Sequence, residues 1–408
     1  MRLAPVLILA ALGCEGERAT PATGDPECDI DRDGHESPEC GGDDCDDARA
    51  DVFPGAVDAS GREWIDEYVG EATNEPPRVA VGLDRSVHVA AVDVRGYIWR
   101  YRLASEWTAD LVGGIGATSY GYYGAASSFP GSVSSLLVDP GGVAHVATVD
   151  RWLGPLRYAN DATEPWDLQI LDPAGGGVVV LVEGEGAIEI VYQDFSNSLV
   201  RVARQEGDAW SIEAPIAGRE ILVAANPALP GVVHVLSWDD RSQSTHAVRS
   251  AGVWTEQALG QLVNLGACRI AVAGSGALHT VCLQSRVSGS DWLVHTSDED
   301  GFEFETVMEE RVRPIALHPS PDGSIHLLAT RYDGGEGTSF VHGVLGGGVW
   351  EIETVDAVMG RDADLAVDGD GDPHVAYIAN PTTSDQELRH ATLADLDGVD
   401  QDCDGEDG

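Results

Sequence analysis

The chain has 408 residues and a formal net charge of -45, and all 24 of its basic residues are arginine. A surface this acidic repels phosphate backbones and anionic lipid, which argues against nucleic acid as a partner and favours a cation. Without lysine, a P-loop, a kinase-type lysine and a lysine Schiff base are excluded. The 43% of hydrophobic residues, with 49 glycines and 10 tryptophans, describe a well-buried, turn-rich β protein.

The chain opens Met1-Arg2, runs apolar from Leu3 to Leu12, and reaches Gly13-Cys14. So short a run does not cross a hydrocarbon layer of about 30 Å, but it suits the central region of a signal peptide. Ala11-Leu12-Gly13-Cys14 resembles the lipobox of bacterial lipoproteins, with Ala11 where leucine is commoner. The resemblance implies that residues 1–13 are removed, that Cys14 carries the lipid, and that residues 14–27 form a polar tether. The expected location is the bacterial outer membrane or cell surface, with the membrane contacted through the lipid alone.

Next comes an acidic segment, residues 28–58, reading Cys28-Asp29-Ile30-Asp31-Arg32-Asp33-Gly34 and then Cys40-Gly41-Gly42-Asp43-Asp44-Cys45-Asp46-Asp47. Alternate aspartates before a glycine crowd carboxylates around one turn, where a hard divalent cation relieves their repulsion, and calcium is the natural choice. An EF-hand does not fit, because Cys40 stands where its closing glutamate belongs.

From Arg62 onward the signal is a repeat. One unit reads Val87-His88-Val89, then Tyr97-Ile98-Trp99-Arg100-Tyr101, then Trp107. The histidine element returns at His145, His234, His279, His326 and His374, with Glu189 in the third unit, and the tryptophan element returns at Trp166, Trp210, Trp254 and Trp350, with Phe302 or Glu303 in the fifth. Four short strands per unit and seven units predict an all-β, seven-bladed β-propeller over residues 62–394. The last unit lacks a fourth strand, and the isolated strand Gly61 to Val69 precedes the first complete one. Closure by that N-terminal strand, as the outer strand of blade seven, follows. The repeated histidines are read as satisfying backbone groups and the tryptophans as packing between blades.

Setting Cys14 aside leaves six cysteines, an even number that favours disulfides in an exported chain. Cys268 and Cys282 lie symmetrically about the turn at Ser275 and are expected to face each other across a hairpin. Residues 395–408 supply a second acidic stretch, Asp397-Gly398-Val399-Asp400-Gln401-Asp402-Cys403-Asp404-Gly405. Together the two stretches resemble the Asp/Cys repeat named for the MopE surface protein, split by the propeller, with Leu396 in place of a family cysteine. The resemblance implies one small metal-binding module made from both termini, with Asp29, Asp31, Asp33, Asp46, Asp47, Asp400 and Asp404 around a calcium ion. A bridge such as Cys45 to Cys403 would staple its halves and leave Cys28 with Cys40, one of three pairings open to four cysteines.

For a ligand, the face carrying the loops between second and third strands holds the irregular, aromatic segments: Tyr120, Tyr122, Tyr123, Trp152, Trp238, Arg241, Arg331 and Tyr332. The expected function is a monomeric, surface-anchored, calcium-stabilised binding or scaffold protein for a protein or glycan, and not an enzyme. Two alternatives stand beside it. A sialidase-like glycosidase or lectin draws on Ser297, Gly301 and Phe304, which loosely resemble an Asp-box with Glu299 in place of its aspartate. Copper acquisition follows only from the MopE resemblance, and the hard carboxylates argue against it.

Overall fold

The computed structural model describes residues 62–395, apart from 72–75, 94, 115–132, 150–153, 163–164, 174, 176, 185, 195, 208, 219, 239–242, 262–264, 286–290, 300, 310–311, 333–337, 356–359 and 380–385. Cys14, the acidic half-motifs and Cys28, Cys40, Cys45 and Cys403 therefore lie outside the described residues. The compact unit Trp64–Ala394 is built from seven four-stranded antiparallel sheets, the blades, and the described residues contain no helix. Strands are lettered a to d from the innermost outward. The inner strands of blades 1 to 7 are Arg78–Val81, Val133–Val138, Val179–Glu183, Glu220–Ala225, Leu265–Val272, Val312–Pro319 and Gly360–Val367. Each lies against the next, and that of blade 7 lies against that of blade 1, which closes the ring.

The core sits in the seams between blades. Every b strand is covered on both faces by neighbouring blades, so Val87–Val92, Ala144–Val149 and Pro373–Ala379 are buried at every position and read as continuous apolar runs. The outer strand Trp107–Gly114 alternates toward solvent. The a–b hairpins of blades 2, 5, 6 and 7 turn on Gly142, Gly276, Gly323 and Gly371, with φ between 80° and 96°, where a Cβ would be strained. Arg85 holds that conformation in blade 1, at φ 61°.

Closure follows the sequence reading: Arg62–Glu71 pairs with Glu387–Asp395 as the outer strand of blade 7. Asp66 latches it, accepting a hydrogen bond from the Tyr377 hydroxyl at 2.7 Å and pairing with Arg389 at 2.7 Å. The Cys268–Cys282 disulfide is present, joining strands a and b of blade 5 across 14 residues of sequence. Loop closure of that length stabilises by about 3 kcal/mol.

The tryptophans do pack between blades, each on the c strand of the preceding one. Trp350 meets His295, Trp64 meets His342 and Trp107 meets His390, each edge-on at 5.5 Å, while Trp210 meets Tyr158 at 4.8 Å. Phe302, not Glu303, holds the place in blade 5, against His246.

The histidines require a correction. They stand on strand b, and each has a ring nitrogen bonded to another side chain. In blades 4 to 7, His234, His279, His326 and His374 meet a second histidine on strand c, His246, His295, His342 and His390, at 3.0 to 3.2 Å. Tyr158 takes that place in blade 2, 2.7 Å from His145. Some chains continue outward: His342 reaches Glu353 at 2.8 Å and His295 reaches Glu305 at 2.5 Å. Others reach back to the a–b turn, from His326 to Ser324 at 3.2 Å and from His145 to Asp139 at 3.3 Å. A line of hydrogen bonds thus crosses the buried width of a blade, which a ring with a nitrogen on each of two edges permits.

Candidate functional site at the channel mouth

Of the ligand-face residues expected from sequence, Tyr120, Tyr122, Tyr123, Trp152 and Arg241 lie outside the described residues. Trp238 ends strand b of blade 4 and packs partly buried on the seam with blade 5, against the cluster of Ala224, Leu236 and Ile270. Arg331 and Tyr332 end strand b of blade 6. Arg331 pairs in register with Val312, the residue before Arg313.

The strand pairing places one residue per inner strand at an equivalent level, opposite the position two beyond the repeated histidine. Around the ring these are Arg78, Ser135, Val180, Leu222, Arg269, Ala316 and Asp364. Neighbouring blades cover both faces of an inner strand, so the partial exposure that remains opens to the channel. That exposure alternates with burial: Arg269 between Cys268 and Ile270, Asp364 between Ala363 and Leu365.

The ring is one-sided. Blades 5, 7 and 1 contribute Arg269, Asp364 and Arg78, and blade 6 adds the exposed Arg313, the second residue of its inner strand. Blades 3 and 4 contribute only Val180 and Leu222. Asp362 stands two residues before Asp364. Inner strands begin on the face that carries the blade-to-blade links and the b–c loops, so the charged arc lies toward that face.

Several of these side chains bridge the seams. Asp364 accepts from the Val79 amide at 3.2 Å, and Ser135 accepts from the Leu181 amide at 3.0 Å. Arg269 donates from Nε to the Ile315 carbonyl and from Nη1 to the Cys268 carbonyl at 2.7 Å. Both partners are neutral, and Nη2 has none among the described residues. Burial, reinforced by the charges of Arg78 and Arg313 and opposed by that of Asp364, pushes the Arg269 guanidinium down to about 10. Burial also raises the Asp364 carboxyl, against the pull of Arg78 and Arg269. One layer deeper, about 7 Å along the strand, His318 bonds through Nδ1 to the Pro319 carbonyl at 2.9 Å. Burial lowers its pKa and keeps it neutral.

The sequence reading missed Arg78, Arg269, Arg313, Asp364 and His318. A signal was present: aligned on the histidine, charged residues occupy inner-strand positions that are apolar in blades 3 and 4. Among the described residues, no cluster of three or more histidine, cysteine or carboxylate side chains is arranged to hold a metal ion. No helix among them is long and apolar enough to cross a membrane.

No family model and no curated protein matches the chain. Solved structures share its fold. Polysaccharide lyase Uly1 is 10% identical over 80% of this chain and 91% of that one, with a TM-score of 0.54. An ulvan lyase bound to a GlcA(1-4)Rha3S chain is 11% identical over 80% and 95%, with a TM-score of 0.51. A catalytically inactive variant of virginiamycin B lyase from Staphylococcus aureus, with quinupristin, is 13% identical over 81% and 100%, with a TM-score of 0.50. The class defined is thus a seven-bladed β-propeller of an architecture that lyases also use. This corrects the expectation that the chain is not an enzyme, because solved structures that share its fold include polysaccharide lyases.

Proposed function

We propose that the chain is an exported propeller, anchored through Cys14, that binds or processes a carbohydrate at the channel mouth on the face of the b–c loops. The observation that carries this is the one-sided ring, in which a charged arc from blades 5, 6, 7 and 1 faces the apolar pair Val180 and Leu222. A concave site with an apolar wall and a few convergent polar groups suits a ligand that is polar at its edges and apolar on its faces, as a sugar ring is. The architecture shared with an ulvan lyase and with Uly1 supports a carbohydrate. Binding needs the charged arc alone. Cleavage by elimination would also need a proton acceptor, and neutral His318 has the chemistry for that role.

The test is a panel of neutral and acidic polysaccharides incubated with the soluble domain. Retention on a glycan array would report binding, and ultraviolet absorbance of an unsaturated product would report elimination. Binding or cleavage of at least one polysaccharide is expected, and its loss when Leu222 is replaced by aspartate would place it at the mouth. A panel that is neither bound nor cut sinks the reading.

The anchor is tested separately. A fatty-acid analogue fed to expressing bacteria is expected to label the wild type and not Cys14→Ser. Equal labelling of the two would remove Cys14 from the proposal.

A further inference from the structure

We propose that the charged arc is an anion subsite, in which Arg269 and Arg313, supported by Arg78, take the carboxylate or sulfate group of an acidic glycan. The inference rests on the carbohydrate reading above and specifies its substrate class.

With 69 acidic residues against 24 arginines, an arginine on this chain finds a carboxylate readily, and many do: Arg100 pairs with Asp110 and with Asp161 at 2.7 Å, and Arg389 pairs with Asp66. At the mouth, arginines from three different blades converge around Asp364. Arg78 and Arg269 act on each other from blades 1 and 5, on either side of the blades that hold Asp364 and Arg313.

Arg269 lies in a costly environment. It is largely desolvated, its two hydrogen-bond acceptors are neutral carbonyls, and two like charges oppose it. Asp364 is a counter-charge to it, but burial raises that carboxyl, and an anion entering from the channel adds to the compensation of a desolvated cation. Nη2 is the donor left to meet it, and a planar guanidinium offers forked geometry to carboxylate and sulfate oxygens alike. Asp364 is tied to the Val79 amide, and burial raises its carboxyl, which weakens its repulsion of an incoming anion.

Arg313 is exposed at the start of its strand, while Arg269 lies deeper. The cations thus form a graded path from the rim inward. In a surface otherwise strongly negative, such a path draws an anion to one place only.

Calorimetric titration of the whole chain with inorganic sulfate, glucuronate and neutral galactose tests the inference. Sulfate or glucuronate is expected to bind saturably and galactose not to compete. Arg313→Gln, an exposed substitution that leaves the fold intact, should weaken the anion by about tenfold. Arg269→Gln should abolish binding. Preference for sulfate or for glucuronate identifies which substituent is read. No saturable binding by the wild type, or equal affinity in Arg313→Gln and wild type, overturns the inference. Anion binding without binding of any polysaccharide keeps the subsite and refutes the carbohydrate reading. Polysaccharide binding indifferent to both arginine variants does the reverse.

Discussion

Urea titrations across the mildly acidic range are expected to show stability falling steeply as pH drops from about 6.5 toward 4, before most carboxylates protonate. The cause is the set of buried histidines on strands b and c. Burial holds His88 and His234 down to about 4 and His390 to about 3, and it lowers His145 and His246 as well. These groups are neutral in the folded chain, whereas in the unfolded chain each titrates near 6.5. The unfolded state therefore binds more protons throughout that window, so the stabilisation is complete above about 6.5 and is lost as pH falls. Each such histidine contributes a slope of about 1.4 kcal/mol per pH unit, so His88, His234 and His390 together give about 4. Relief of the acidic surface's self-repulsion opposes this only nearer pH 4, where the carboxylates titrate. Replacing His234 by leucine should flatten the curve by about one proton. A stability that stays level from neutral pH to about 5 would refute the account.

The other large effect belongs to blade 3, where the repeat loses its histidine. Glu189 stands there, 2% exposed, and pairs with the equally buried Arg249 of blade 4. Its only other ionic partner among the described residues is Arg204, at 3.5 Å and far more exposed. Arg249→Ala leaves a buried carboxylate nearly alone, and the expected cost is about 3–5 kcal/mol, a large share of the roughly 5–15 kcal/mol that holds a folded domain together. Replacing Glu189 and Arg249 together by leucine should cost much less, because no charge is then stranded. Denaturant midpoints of the single and double variants decide the matter: if the double variant is as unstable as Arg249→Ala, the pair is not what locks blades 3 and 4. The exception in the repeat would thus be a charge pair exchanged for a hydrogen-bonded histidine line.

Much of the fold was legible because a repeat displays its own strand count. His88, His145 and their equivalents mark strand b, the tryptophans mark strand d, and the unit without a fourth strand at one end matches the orphan strand at the other. Trp64 on His342 and Trp107 on His390 follow from that ring, and the Cys268–Cys282 bridge follows from symmetry about one turn. The histidine partners were less legible. His246, His295, His342 and His390 repeat in the sequence as well, but a side chain's bonding partner is set by cross-strand register, which a list of positions does not contain.

The charged arc was decided by the tertiary structure alone. Arg78, Arg269, Arg313 and Asp364 are spread over nearly three hundred residues of chain, and only closure of the ring brings blades 5, 6, 7 and 1 around one mouth. Their direction was also hidden. The a–b pairings of blades 5, 6 and 7 each shift register beside these residues, between Gly266 and Arg269, Pro314 and Ala316, and Arg361 and Ala363. One inserted residue turns every following side chain to the opposite face of a strand, so alternation in the sequence loses track of which residues meet the channel. Periodicity alone determined the blades and their closure. Which charges share the mouth depended on irregularities that periodicity does not record.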